Sequence, residues 1–197
     1  MSEETKTNTT LGFILEAAER LIDEKGCRQT TLQDIIERTG LSKGAIYHYV
    51  SGKDELFGLI LKKNMSAMNE HFHTILADAQ PADVTTPLPF ITDQIRSRTR
   101  TDDVASKIFI YLLSQNDHPK VAAILSDVYE YAFQTTCQWI EVGKKGNAIP
   151  QEVDTEKIAA LFMSFIYGMR VQNLVVQEKD SKIGMEDIFR IMFRSLQ

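Results

Sequence analysis

Lys43, Gly44, Tyr47 and His48 stand at spacings of one and four, which puts them on one face of a helix. The set offers an ammonium, a phenol hydroxyl, an imidazole and a residue with no side chain. Such groups can meet phosphate oxygens and base edges together. Lys43 suits phosphate or guanine, and His48 a base edge or the backbone. Tyr47 can donate its hydroxyl to phosphate while its ring packs below. Gly44 lets a partner approach the backbone closely; as an ordinary helix-start residue it would only weaken the helix. The plain alternative is an exposed lysine and a solvated histidine on a surface helix. Thr31 and Lys53 lie at two further helix starts, where amide dipoles also favour phosphate.

The elements that must hold these groups are legible around them. Thr31 can cap a short helix, with Asp34 three positions on as a near capping box. Leu32, Ile35 and Ile36 fall on one face, and Gly40 ends the helix. Ser42 can cap a second helix, in which Leu41, Ala45 and Ile46 lean away from Lys43 and Tyr47. A third begins near Lys53. The spacing predicts a helix-turn-helix whose second helix can lie in a DNA major groove.

The same segment resembles the DNA-binding domain of the TetR family of bacterial transcriptional regulators. The resemblance is carried by Thr30-Thr31, Asp34-Ile35-Ile36, Gly40-Leu41-Ser42-Lys43-Gly44, Ile46-Tyr47-His48-Tyr49 and Lys53-Asp54-Glu55-Leu56-Phe57, in that order. It covers the first third of the chain; beyond that only length and helical character agree. Val50 stands where the family usually has Phe, and Gly52 where it prefers Ser or Asn; both lie in the turn into the next helix. The resemblance implies a DNA-binding domain over 8–68, with the motif at about 31–50, and a C-terminal effector-binding and dimerisation domain over 69–197. It implies a DNA-facing set of Thr31, Gln33, Ser42, Lys43, Gly44, Ala45, Tyr47, His48, Tyr49 and Lys53. Gln33 matches a family position that can touch a base, and glutamine pairs well with adenine. Tyr49 shares a side with Ile46, which also suits the core. The activity implied is repression at a palindromic double-stranded operator, relieved by a small molecule.

Periodicity makes the whole chain all-α. Leu11, Ile14, Leu15, Ala18, Leu21 and Ile22 predict a first helix ending at Gly26. The helix from Lys53 runs to about Ala79, with Phe57, Ile60, Leu61, Asn64, Met68, Phe72 and Ile75 inward. Pro81, Pro87 and Pro89 mark a break. Further helices are expected near 90–99, 103–115, 120–145, 154–178 and 184–196, and no run alternates strictly enough for a strand.

Ile158 to Ile166 is apolar on every side, whereas a surface helix shows a polar face. One side must find a second cover. Ala160, Ser164 and Gly168 form a small-residue strip at four-residue spacing, and the last helix carries Ile188 and Met192 within an apolar stripe. These residues are expected to build half of a homodimer's four-helix bundle; the alternative is the centre of a monomeric bundle. Phe109, Tyr129, Phe133, Phe162, Phe165 and Met169 are core-forming residues one by one. As a group they are compatible with a mostly apolar pocket for a hydrophobic or amphipathic effector.

Composition narrows the classes. Net charge is −5 over 197 residues, yet Arg28 to Lys63 carries six basic and four acidic residues, a local balance of +2. Cys27 and Cys137 give neither a disulfide framework nor a metal spacing, which suits a reducing, cytoplasmic setting. The polar N-terminus has no apolar signal stretch, and no apolar run is long enough to span a bilayer, so no membrane partner is expected. His71 and His73 lie about 200° apart on a helix and cannot easily share a metal. Cys137, beside Trp139, fits a core position, and Arg96, Arg98 and Arg100 suit a solvated face. With no catalytic motif and no cofactor expected, the rivals to a DNA-binding regulator are two. One is a helical small-molecule-binding or interaction protein without DNA binding; the other is a helical enzyme using the C-terminal cavity.

Overall fold

The computed structural model describes residues 3–78, 104–147 and 149–175. Among the described residues the protein is all-α: α1 (Glu3–Gln29), α2 (Leu32–Thr39), α3 (Lys43–Tyr49), α4 (Lys53–Asp78), α5 (Val104–Leu113), α6 (Pro119–Lys145) and α7 (Thr155–Val175). The expected helices near 90–99 and 184–196, and with them Ile188 and Met192, lie outside the described residues. No described helix is long and apolar enough to cross a membrane.

Two units are distinguished. The first takes in Met1–Asn64 and Lys107–Val128, the second Met65–Ser106 and Tyr129–Gln197. In the first, the inward stripe of α1 (Ile14, Leu15, Ala18, Leu21, Ile22) is buried, as are Ile35, Ile46, Val50, Leu56, Phe57, Ile60, Ile108 and Leu112. The predicted inward residues Phe57, Ile60, Leu61 and Phe72 of α4 are buried and Asn64 and Met68 half-buried, while the side chain of Ile75 lies outside the described residues. Val50, the departure from the family's Phe, is buried and closes α3 with its N–H on the Ile46 carbonyl. Polar ties run over this core: Arg38 grips Glu24 with two bonds of 2.9 and 2.6 Å, Lys63 reaches Glu19 at 2.9 Å, and Lys107 reaches Asp23 at 2.9 Å. Such surface pairs add little stability. Their use here is to hold α2, α4 and α5 on α1.

Helix α1 does not stop at Gly26 as the periodicity predicts; it breaks there, with φ 80 and ψ 165, and turns on to Gln29. A positive φ of that kind suits glycine.

In the second unit, Phe72, Trp139, Phe162 and Met169 form a buried cluster, with Phe165 and Ile166 packed against it. The Trp139 indole N–H donates to Asn69 Oδ1 at 2.8 Å, so the largest side chain enters the core with its polar atom satisfied. On α7 the opposite edge is open. Leu161, Ser164, Gly168, Val171 and Val175, three and four residues apart, are exposed, while Ala160 is half-buried.

Gly58 is buried in the first unit, and a Cβ built there falls 2.6 Å from Ile124 Cγ2. Gly58→Ala is expected to cost about 1–3 kcal/mol through overpacking, despite alanine's better helix propensity. Urea unfolding of the variant checks this; an unchanged or higher midpoint would show that Ile124 yields freely.

Candidate nucleic-acid interface

The interface is assembled from two capped helix starts. Thr31 Oγ1 accepts from the Asp34 amide at 3.2 Å, and Asp34 Oδ2 accepts from the Thr31 amide at 2.7 Å, a complete capping box. The same carboxylate accepts from the Thr31 hydroxyl at 2.6 Å and pairs with Lys25 at 2.7 Å. These contacts, Lys25 first, hold the Asp34 carboxyl down at about 2. At the other end of α2, Gly40 adopts the left-handed conformation, φ 69, with its N–H on the Ile36 carbonyl. Ser42 then caps α3, its Oγ accepting from the Ala45 amide at 3.1 Å.

This geometry turns one side of α3 outward. Ser42, Lys43, Gly44, Tyr47 and His48 are exposed, Ala45 and Tyr49 half-buried, and Ile46 buried. Lys43 Nζ lies 5.5 Å from the Tyr47 ring centre, and His48 meets Tyr49 edge-on at 5.2 Å. The Cβ that Gly44 lacks would meet only Ser42 Oγ, at 4.0 Å. Among the described residues nothing crowds that position, so the fold itself would accept a side chain there. Thr31 and Gln33 are exposed on α2. Gln33 Nε2 donates to Glu37 Oε1 at 2.9 Å, which fixes the amide's orientation along the helix.

Lys53, expected at a phosphate, is engaged within the first unit. Its ammonium is turned inward, onto the carbonyls of Cys27, Arg28 and Thr30 at 3.2, 3.4 and 3.2 Å. The charge that dominates the basic count is thus mostly engaged within the first unit: Lys25, Arg38 and Lys63 in ion pairs, and Lys62 on Asp127 at 2.5 Å. Arg28 is exposed and, like Lys43, has no carboxylate partner among the described residues.

The expected pocket residues are distributed unevenly. Phe162, Phe165 and Met169 come together in the core cluster of the second unit. Tyr129 and Phe133 stack at 6.0 Å, with Tyr167 6.2 Å from Tyr129. Burial pushes the Tyr167 phenol up to about 12, so it stays a hydrogen-bond donor at physiological pH. Phe109 belongs to the first unit. Among the described residues no cluster of His, Cys, Asp and Glu has the arrangement of a metal site. Both thiols are held above their ordinary value, by burial first, which makes them poor nucleophiles.

Residues 14–60 match the family model described as bacterial regulatory proteins, tetR family. Over 187 residues the chain is 22% identical to the uncharacterized HTH-type transcriptional regulator YfiR of Bacillus subtilis, covering 93% of this chain and 89% of that protein. Over 57 residues it is 33% identical to the HTH-type transcriptional repressor KstR2 of Mycobacterium tuberculosis, 29% of this chain and 28% of that one. The fold is similar to that of a putative transcriptional regulator from Saccharomonospora viridis solved in complex with choline, with TM-score 0.62, 19% identity and 95% of each chain covered.

The capping box makes an acid-dependent prediction. The Asp34 carboxyl titrates at about 2 in the folded chain, against an ordinary 3.8. A depressed carboxyl stabilises the fold fully above its unfolded value and loses that contribution as pH falls through the folded one. Asp34→Asn is therefore expected to lower the unfolding midpoint at pH 7, with the gap to wild type closing between about pH 4 and 2. A gap of constant size across that window would contradict it.

Proposed function

The chain belongs to the TetR family of bacterial regulatory proteins, and from that premise we propose a homodimeric repressor of a palindromic operator, released by a small hydrophobic or amphipathic effector. DNA-binding transcriptional regulation is the family's activity. In our reading, residues 8–68 carry the DNA contacts and residues 69–197 the dimer face and effector site, in a cytoplasmic protein.

The exposed face of α3 carries this reading. Lys43, Gly44, Tyr47 and His48 form an outward surface that the core does not use. Thr31 and Gln33 extend it at the start of α2. With α3 docked in a major groove, His48 of α3 and Gln33 of α2 meet base edges, and Lys43 and Tyr47 meet phosphates. In a two-fold dimer the two half-sites lie about one helical turn, 34–36 Å, apart. The open edge of α7 supports the dimer: Leu161, Val171 and Val175 are apolar and exposed, with Ser164 and Gly168 leaving room between them. Ser164 Oγ donates to the Ala160 carbonyl at 2.9 Å, so the small strip carries no unmet donor into a close helix contact. The choline complex of the Saccharomonospora viridis relative supports a small-molecule effector. Tyr129 and Phe133 are the partly accessible aromatics on offer, with Phe162, Phe165 and Met169 behind the second unit's core surface.

Operator binding is tested on duplexes selected by the wild-type protein from a random library. Gly44→Ala is expected to hold or raise the melting temperature, since helix propensity improves by about 0.5–1 kcal/mol. It is expected to weaken the selected duplex about tenfold, or 1.4 kcal/mol. Lys43→Ala and Arg28→Ala should each lower the salt slope by about 0.9 for every phosphate released. If Gly44→Ala binds as wild type does, α3 is not the surface that meets DNA.

The dimer is tested at Gly168, where an added Cβ meets no described residue within 4 Å. Gly168→Leu should fold normally yet sediment as a monomer at micromolar concentration, where wild type sediments as a dimer. A dimeric variant would place the interface elsewhere.

A further inference from the structure

We propose that Lys53 is a positioning residue: it closes the end of α1 from below, is held there by Tyr111 of α5, and thereby fixes the first turn of α2 for DNA.

The break at Gly26 sets Cys27 to Thr30 off as a last short turn of α1, with no following helical turn to supply donors to its carbonyls. Its main-chain acceptors therefore need other donors. Thr30 answers part of this, with its N–H at 3.2 Å and its hydroxyl at 2.9 Å from the Gly26 carbonyl, and its side chain is fully buried. The carbonyls of Cys27, Arg28 and Thr30 converge instead on Lys53 Nζ, at 3.2, 3.4 and 3.2 Å. An ammonium has three N–H donors, and three carbonyls meet it. The ring of Tyr111 lies 5.0 Å from the same nitrogen and that of Phe57 6.0 Å. Both are within the range at which an aromatic face attracts a cation. Phe57 and Tyr111 hold each other edge-to-face at 5.5 Å.

A lysine so engaged must give up three bonds and two ring contacts to reach a phosphate. It is better placed to act through the segment it grips. Thr30 is followed directly by Thr31, the cap of α2, and Gln33 is exposed on the turn that Thr31 starts. Loosening the carbonyls lets that turn drift relative to α3, and a recognition surface of two helices loses its fixed spacing. The proposal rests on the reading of α2 and α3 as the DNA face. Its consequence is distinctive: Lys53 contributes to affinity without contributing a neutralised phosphate.

The test uses the full-length protein and the selected duplex, with a random-sequence duplex of equal length beside it. Wild type, Lys53→Met, Tyr111→Leu, Tyr111→Phe and the double variant Lys53→Met with Tyr111→Leu are titrated at several salt concentrations, each corrected for folded fraction by circular dichroism. Wild-type binding to the selected duplex is the control. Its absence defeats the DNA reading itself, whereas the outcomes below concern Lys53 alone. Each of Lys53→Met and Tyr111→Leu is expected to weaken the selected duplex about tenfold and the random duplex far less, with the salt slope unchanged. The double variant is expected to lose no more than the worse single one, and Tyr111→Phe to bind as wild type does. A slope lowered by about 0.9 per Lys53 would make it a phosphate anchor and overturn the proposal. Unchanged affinity of the folded fraction would reduce the tie to stability alone, and additive losses would separate Lys53 from Tyr111; either overturns it too. Should Lys53→Met fail to fold, Tyr111→Leu and Tyr111→Phe decide by the same slope and affinity criteria.

Discussion

The backbone between Gly26 and Thr31 is the constraint on which the DNA-facing geometry depends. The last turn of α1 and the two residues that follow it must carry the chain into α2 against a packed core, and their polar groups cannot all be left to water. Gly26 supplies the positive φ that reverses the chain, Thr30 folds its hydroxyl back onto Gly26, and Lys53 collects the remaining carbonyls. Once that segment is set, Thr31 and Asp34 start α2 in one direction only, and Lys25 holds Asp34 from the side of α1. Gly40 and Ser42 then aim α3. The outward surface is the last product of a chain of local closures, each requiring the one before.

Charge serves this surface differently from what a net count suggests. A chain at −5 has a first unit with several cations, but most are spent on orienting helices. Exposed pairs of this kind stabilise little; they fix which way a helix lies. What faces outward is Lys43, Arg28 and a set of neutral donors. A surface so composed offers hydrogen-bonding groups more than bulk positive charge.

The second unit shows the same economy of faces on α7. Phe162 and Met169 enter the core with Trp139, while Leu161, Val171 and Val175 remain outside on the opposite edge. A helix apolar all round satisfies only half its surface within its own chain. The exposed small residues between the apolar ones suit contact with another helix better than contact with solvent.

Much of the fold and of the interface was legible in the sequence. Caps, helix ends and buried faces arise from residues one to four positions apart, and such spacing is visible in a linear string. Thr31 with Asp34, Gly40, Ser42 and the split between Ile46 and Tyr47 all follow that rule. Contacts between residues far apart in sequence leave no such trace. Nothing in the string joins Lys53 to carbonyls more than twenty residues upstream or to a tyrosine on α5. Glu19, Asp23 and Asp127 were likewise invisible as the sinks of Lys63, Lys107 and Lys62. Of the aromatic residues suggested as one group, Phe109 falls in the first unit and Phe162 in the second. Local geometry fixed which residues face outward; only the tertiary packing decided which of the charged ones were still available there, because a charge is neutralised by whatever the fold brings within a few ångströms of it.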